Sequence, residues 1–179
     1  IFICLKNQIF KRIMDEKPDV MRKLRIVNGD ITQPQLGLLD EDLKYVTSQT
    51  EIVFHLAASL KNEATLKPNV IMNVVGTQHM LEVAKKMSKL LIMIHTSTAF
   101  CLIEHTTIEE KIYECHFDPE DVLRAADKMT EEEMAARQKM YLGPHLNTYT
   151  FTKRLAEILV RDEFKHNQLP VCIVRPGIV

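Results

Sequence analysis

The sequence predicts an α/β fold built as a doubly wound parallel sheet, and three observations predict it. Short apolar runs recur along the chain, at Arg25-Ile26-Val27, Glu51-Ile52-Val53-Phe54-His55-Leu56, Leu90-Leu91-Ile92-Met93-Ile94 and Val171-Cys172-Ile173-Val174. Their apolar character is continuous and not alternating, which suits strands covered on both faces. Between them lie helical patterns, clearest over Val70–Met87 and Tyr149–Phe164, where apolar residues recur three and four apart. Strand, helix, strand, helix in that order argues for parallel strands with helices on both sides of the sheet.

The chain of 179 residues, 46% of them apolar, suits one globular domain over residues 1–179. The segment 104–146 departs from the strand and helix rhythm. Its polar residues and its Glu131-Glu132-Glu133 run read as a largely helical insertion whose charges form a solvated helix face. With 23 Lys and Arg against 24 Asp and Glu, the net charge of -1 offers no basic excess for a nucleic-acid backbone or an anionic membrane.

Cys4, Cys101, Cys115 and Cys172 are scattered without a C-x-x-C pair, so a reducing compartment is the simpler expectation and no metal-ligand set is read from their spacing. The apolar opening Ile1–Leu5 lacks a preceding cationic stretch and is not read as a signal peptide. The Leu90–Ile94 run stops at His95, far short of the ~20 residues a spanning helix needs.

Tyr149-Thr150-Phe151-Thr152-Lys153 puts a phenol and an ammonium four residues apart, one turn apart on the same helix face. A tyrosine is a suitable proton donor to a developing alkoxide, and a lysine beside it favours the phenolate and lowers its pKa. A solvated surface pair is the alternative, because this spacing is common by chance. His95-Thr96-Ser97-Thr98-Ala99 follows the Leu90–Ile94 run, and hydroxyls at the C-terminal end of a parallel strand face the crevice where ligands bind. Ser97 or Thr98 can hydrogen-bond a substrate carbonyl as it gains negative charge, or simply cap the strand end.

Asn28-Gly29-Asp30-Ile31 closes the first apolar run with a carboxylate able to accept from an adenine amine, and His55-Leu56-Ala57-Ala58 closes the second with side chains small enough for a dinucleotide to approach the backbone. Taken alone each reads as a turn and a packing detail, but all lie where one cofactor would run across the sheet. Asn73, in Asn73-Val74-Val75-Gly76-Thr77, can bridge backbone groups and order the site, and the turn Arg175-Pro176-Gly177-Ile178-Val179 can pass along a nicotinamide.

Taken together, these motifs resemble an extended short-chain dehydrogenase/reductase, a Rossmann-like fold, and within it the animal fatty acyl-CoA reductases. The resemblance rests on Gly29–Pro34 with Leu36–Leu38, Ile52–Ala58, His95–Cys101, Glu109–Tyr113 and Asn147–Lys153, and covers roughly residue 5 to the end. It implies NADPH-dependent, four-electron reduction of a long-chain acyl-CoA to a fatty alcohol, with a hemithioacetal and an aldehyde between. Carried over by position, Tyr149 is the proton donor, and Lys153 lowers its pKa and holds the nicotinamide ribose. Thr98 is the oxyanion-binding hydroxyl, with Ser97 second. Asp30 and Ile31 contact the adenine, Ala57 and Ala58 line the dinucleotide path, Asn73 orders the site, and Pro176, Gly177 and Ile178 pass along the nicotinamide. The resemblance further implies an intracellular protein on an endoplasmic reticulum or peroxisomal membrane, facing the cytosol and attached through a C-terminal part beyond this chain. A homodimer is compatible with it.

The chain departs from that pattern in three ways. Its five glycines, Gly29, Gly37, Gly76, Gly143 and Gly177, contain no phosphate-binding cluster, so the fold is expected to lack its first strands and glycine loop. The basic residues that hold the NADPH phosphate are not identifiable, and Phe100 stands where tyrosine is common. The chain is therefore read as a partial NAD(P)-binding domain that is inactive alone. A nucleotide-sugar epimerase or dehydratase shares the Tyr, Lys and Ser/Thr set and is the second reading. An inactive truncated copy is the third.

Overall fold

The computed structural model describes residues 8–62 and 64–177. The calls on Ile1–Leu5 and Ile178 lie outside them. Three strands, β1 (Ile52–His55), β2 (Ile92–Thr96) and β3 (Val171–Val174), form one parallel sheet in the order β1-β2-β3. The register sets Phe54 beside Ile94 and His55 beside His95, and then Ile94 beside Cys172 and Thr96 beside Val174. All the C-terminal strand ends therefore lie along one edge.

Helices α1 (Gln8–Glu16) and α2 (Asp40–Gln49) precede β1. Between β1 and β2 the chain runs through α3 (Leu66–Val70), a π turn (Ile71–Val75) and α4 (Gly76–Ala84) without a break in helical backbone. Pro68 is tolerated because it lies in the first turn, where no backbone N–H needs an intrahelical acceptor. Before β3 comes the longest helix, α8 (Thr148–Asn167), started by the Asn147 side chain accepting from the Thr150 N–H at 2.9 Å. It ends at Gln168, whose φ of 55° is a left-handed cap.

In the main core cluster Leu66, Val70, Val74 and Leu81 meet Met93 of β2 and Phe151 and Leu155 of α8, all at most 1% exposed. Val53, Val171 and Ile173 join it from the sheet. The alternating residues Ile52 and Phe54 point the other way and are 50% and 66% exposed. The expectation of helices on both sides is therefore met on one face only, among the described residues.

The Arg25–Val27 run is not a strand. Among the described residues it has no neighbour to complete a ladder, Leu24 and Ile26 remain 53% and 56% exposed, and the segment is held by side chains instead. Arg25 pairs with Asp42 at 3.0 Å and lies over the Tyr45 ring, 3.7 Å from its centroid. The Leu90–Ile94 run is displaced as well: the strand begins at Ile92, because pairing with Ile52 sets its start, so His95 and Thr96 belong to the strand and do not follow it.

The polar segment becomes helical in its second half, as α5 (Pro119–Lys128), α6 (Glu131–Ala136) and α7 (Gln138–Leu142). The glutamate run occupies the first turn of α6, where Thr130 and Glu133 make a reciprocal capping box and the helix dipole favours negative charge. Val122 and Met134 from these helices are fully buried in the common core. No described helix is long and apolar enough to cross a membrane.

Candidate active site

Tyr149, Thr98 and Lys153 meet beyond the C-terminal end of β2. Tyr149 sits half-buried in the first turn of α8, and Lys153 follows one turn later at 3% exposure. The Lys153 ammonium donates to the Thr96 carbonyl at 2.5 Å, which anchors the helix to the strand end. Burial pushes this lysine down to about 8, partly offset by the Cys101 thiol and the Glu157 carboxylate. The phenol of Tyr149 is raised by burial, and the adjacent Thr98 hydroxyl pulls it partly back. The lowering of the phenol by Lys153 expected from their spacing is not seen here: the ammonium is engaged with a carbonyl, and desolvation dominates at the tyrosine.

The two candidate hydroxyls differ in their surroundings. Ser97 turns toward the Cys101 sulfur at 3.8 Å, inside the protein. The Thr98 oxygen accepts from the Phe100 N–H at 3.2 Å, which leaves its own hydrogen free to donate beside Tyr149. The neighbouring Cys101 is inert, with its thiol donating to the Thr98 carbonyl at 3.0 Å and burial pushing it up to about 12.

Asn73, at the centre of the π turn, orders this region from the opposite helix. Its carbonyl oxygen accepts from the Ser59 N–H at 2.7 Å, and its amide donates to the Ser59 carbonyl at 3.2 Å and to Thr152 Oγ1 at 3.0 Å. Thr152 lies between Tyr149 and Lys153, so one amide ties the loop after β1 to the helix that carries both. Asn69, one turn earlier, repeats the contact by donating to Thr148 Oγ1 at 2.7 Å. The Asn69 and Thr148 pair was not anticipated from the sequence. The signal is present as Asn and Thr each recurring at four-residue spacing on two helices, and it acquires meaning only once those helices pack together.

Asp30 and Ile31 lie in a tight loop closed by the Asp30 N–H donating to the Leu36 carbonyl at 2.7 Å. The loop seats on α4 because Gly76 has no side chain: a Cβ there would approach Ile31 to 3.0 Å. His79 fastens it through a contact to the Ile31 carbonyl at 3.1 Å. The Asp30 carboxylate is exposed and accepts from the Thr32 N–H and hydroxyl at 2.9 and 2.7 Å, which holds its pKa below the usual range. Ala57 is exposed and Ala58 partly buried on the loop leaving β1. Pro176 is drawn to the site by its carbonyl, which accepts from the Ala99 N–H at 3.1 Å, while Gly177 is exposed with open space around it.

Behind the site sit two buried histidines that the sequence marked only as neighbours of small residues. His55 and His95 occupy matching register positions, with ring centroids 5.2 Å apart. His55 Nε2 meets Thr77 Oγ1 at 3.1 Å, whereas both ring nitrogens of His95 are buried without a partner among the described residues. Burial holds His55 down to about 4 and His95 well below its ordinary value, with the Lys153 charge adding to both.

These histidines make folding sensitive to acid. The unfolded chain takes up protons on them as pH falls through 6.5, and the folded chain takes one up at His55 only near 4. Stability is thus fully present above that range and is lost as pH falls through it. We expect the urea midpoint to drop between about pH 7.5 and about pH 5, where carboxylates remain ionised. An unchanged midpoint would show that the buried imidazoles do not titrate with unfolding.

The donor set suits the nicotinamide-ribose end of a dinucleotide: an ammonium with further N–H bonds to give, a phenol and a free hydroxyl. The pyrophosphate is not served in the same way, since the glycines that form tight backbone here, Gly29 and Gly37, are engaged against Leu36, Leu38, Asp30 and Gln33.

Residues 2–179 match the family model described as Male sterility protein, an NAD-binding family. The chain is 35% identical over its whole length to fatty acyl-CoA reductase 2 of Mus musculus and 34% identical over 98% of its length to fatty acyl-CoA reductase 1 of Homo sapiens. It spans 34% of the length of each. Among solved structures, the terminal R domain from the myxalamid PKS-NRPS biosynthetic pathway aligns with 94% of this chain and 37% of its own, at a TM-score of 0.65 and 21% identity. A UDP-glucuronic acid 4-epimerase from Bacillus cereus, in complex with NAD, aligns with 75% of this chain and 34% of its own, at a TM-score of 0.52 and 24% identity. These two likenesses are of fold, and they place the parallel sheet with its helices in the Rossmann-like class. With the family model matched from residue 2 to residue 179, the chain belongs to the Male sterility protein family of NAD-binding proteins.

Proposed function

We propose that this chain carries the catalytic end of an NADPH-dependent reductase that converts long-chain fatty acyl-CoA, through the aldehyde, to a fatty alcohol. The observation that carries the reading is the convergence of Thr98, Tyr149 and Lys153 at the C-terminal end of β2. Relatives named fatty acyl-CoA reductase support the substrate class. NADPH, when bound, supplies the hydride for each reduction.

The chain's own residues would then act on the oxygen that gains charge. Thr98 donates to that oxygen, and Tyr149 delivers a proton to it. The burial that raises the phenol keeps it protonated until a basic oxygen arrives. Lys153, held by Thr96, would offer its remaining N–H groups to the nicotinamide ribose. Asn73 keeps Tyr149 and Lys153 at fixed height above the loop after β1. Asp30 with Ile31 would receive the adenine, Ala57 and Ala58 the dinucleotide backbone, and Pro176 with Gly177 the nicotinamide.

The test is a protein containing these residues incubated with NADPH and either palmitoyl-CoA or a UDP-sugar. We expect free CoA and hexadecanol from the first and no turnover of the second. An epimerised or dehydrated sugar, with palmitoyl-CoA untouched, would replace this reading by the nucleotide-sugar one.

A further inference from the structure

A second group of chemistry-bearing side chains lies in the polar segment, outside the reductase site. Cys115, His116 and His145 bring one sulfur and two imidazoles together, with a ligand atom of each within 4.8 Å of the others. The histidine roles follow from their partners. His116 Nε2 lies 2.9 Å from the Tyr141 carbonyl, and a carbonyl only accepts, so the ring proton is on Nε2. The lone pair is therefore on Nδ1, which faces the Cys115 sulfur at 4.0 Å. An imidazole whose outer nitrogen donates to a carbonyl is oriented as metal-ligating histidines are. His145 stacks on the His116 ring, with centroids 6.0 Å apart, and makes no side-chain hydrogen bond among the described residues. It is 9% exposed.

We propose that Cys115 Sγ, His116 Nδ1 and one ring nitrogen of His145 form a three-ligand zinc site that ties the loop before α5 to the entry of α8. Zinc suits the set because thiolate and imidazole are its usual donors, and three protein ligands leave a fourth position for water. A tetrahedral shell with bonds of about 2.0–2.3 Å places neighbouring ligand atoms roughly 3.3–3.8 Å apart, so a small closure of the present arrangement completes it. The His116 ring already abuts Gly143, where a Cβ would come within 2.7 Å of Nε2, so the glycine makes room for that orientation. Binding replaces the Cys115 S–H proton by the metal and releases one proton to solvent. The site stands two residues before the Asn147 cap and four before Tyr149. A metal there would stiffen the start of the helix that carries the phenol without touching the reacting atoms.

Cobalt(II) titrated into the metal-stripped chain under a non-thiol reductant reads the site directly. We expect saturation at one equivalent, with tetrahedral visible bands and a thiolate-to-cobalt charge-transfer band in the near ultraviolet. Cys115→Ser should abolish the charge-transfer band, while Cys172→Ser should leave it intact. His145→Ala should weaken zinc affinity, in competition with a chromogenic chelator, by at least the roughly 10–100-fold that an outer-shell partner is worth. Far-ultraviolet circular dichroism of each variant separates loss of ligand from loss of fold. Absence of the charge-transfer band in the parent chain, or its survival in a folded Cys115→Ser, would overturn the proposal.

Discussion

In a longer protein that contains these residues, replacing Tyr149 by Phe is expected to lower turnover by roughly 10²-fold or more while leaving stability nearly unchanged. The ring is half-buried and keeps its packing in the variant, so only the hydroxyl is lost. Among the described residues that hydroxyl has the Thr98 hydroxyl as its neighbour, and no structural bond depends on it. The measurement is single-turnover reduction of palmitoyl-CoA with NADPH, alongside a urea titration of both proteins. Turnover within a few-fold of the parent would remove Tyr149 as proton donor, and Thr98 would be the next hydroxyl to test. A parallel loss of stability would point to a packing role instead.

The largest expected effect on stability comes from Arg175, just past β3. Glu157 of α8 is fully buried, and Arg175 meets its carboxylate with two bonds of 2.7 Å, from Nε and Nη2. The same Nη2 donates to the Lys111 carbonyl at 2.9 Å, and the guanidinium lies 5.8 Å from the Tyr113 ring centroid. Arg175 thereby joins the helix, the end of the sheet and the Glu109–Tyr113 stretch. Arg175→Met leaves a carboxylate in the interior without its counter-charge and should cost about 3–5 kcal/mol of unfolding free energy. Replacing both partners, with Glu157→Leu added, should recover much of that loss, because no charge then remains buried. Denaturant midpoints of the single and double variants decide it. A single variant within about 0.5 kcal/mol of the parent would mean that water reaches Glu157 and the pair is not a buried one.

Much of the site was legible because its signals are local. The Tyr149 and Lys153 pair needs only helical spacing to share a face. The Ser97 and Thr98 hydroxyls were legible as a pair, but not which of them is free. That difference arises from Cys101, four residues on, folding back against Ser97 in the turn Ala99–Leu102. The direction of the Lys153 ammonium was equally hidden, since its acceptor is the Thr96 carbonyl, 57 residues away in sequence. The zinc proposal rests on the same kind of information. Cys115 and His145 are separated by three helices, and no spacing rule connects them.

By itself the sequence determined the class of the fold, the order of strands and helices from β1 onward, the helix that presents Tyr149 and Lys153, and the family that those motifs resemble. The first three follow from periodicity and residue type within short windows, and the family from the resemblance of whole motifs. The tertiary structure alone decided that Arg25–Val27 is not a strand, that β2 runs to Thr96, that the core helices gather on one face of the sheet, and that His55 and His95 are neutral neighbours behind the site. These depend on which backbone edges find partners and which side chains lose water. Pairing and desolvation are set by segments far apart in the chain, and a local pattern carries no record of them.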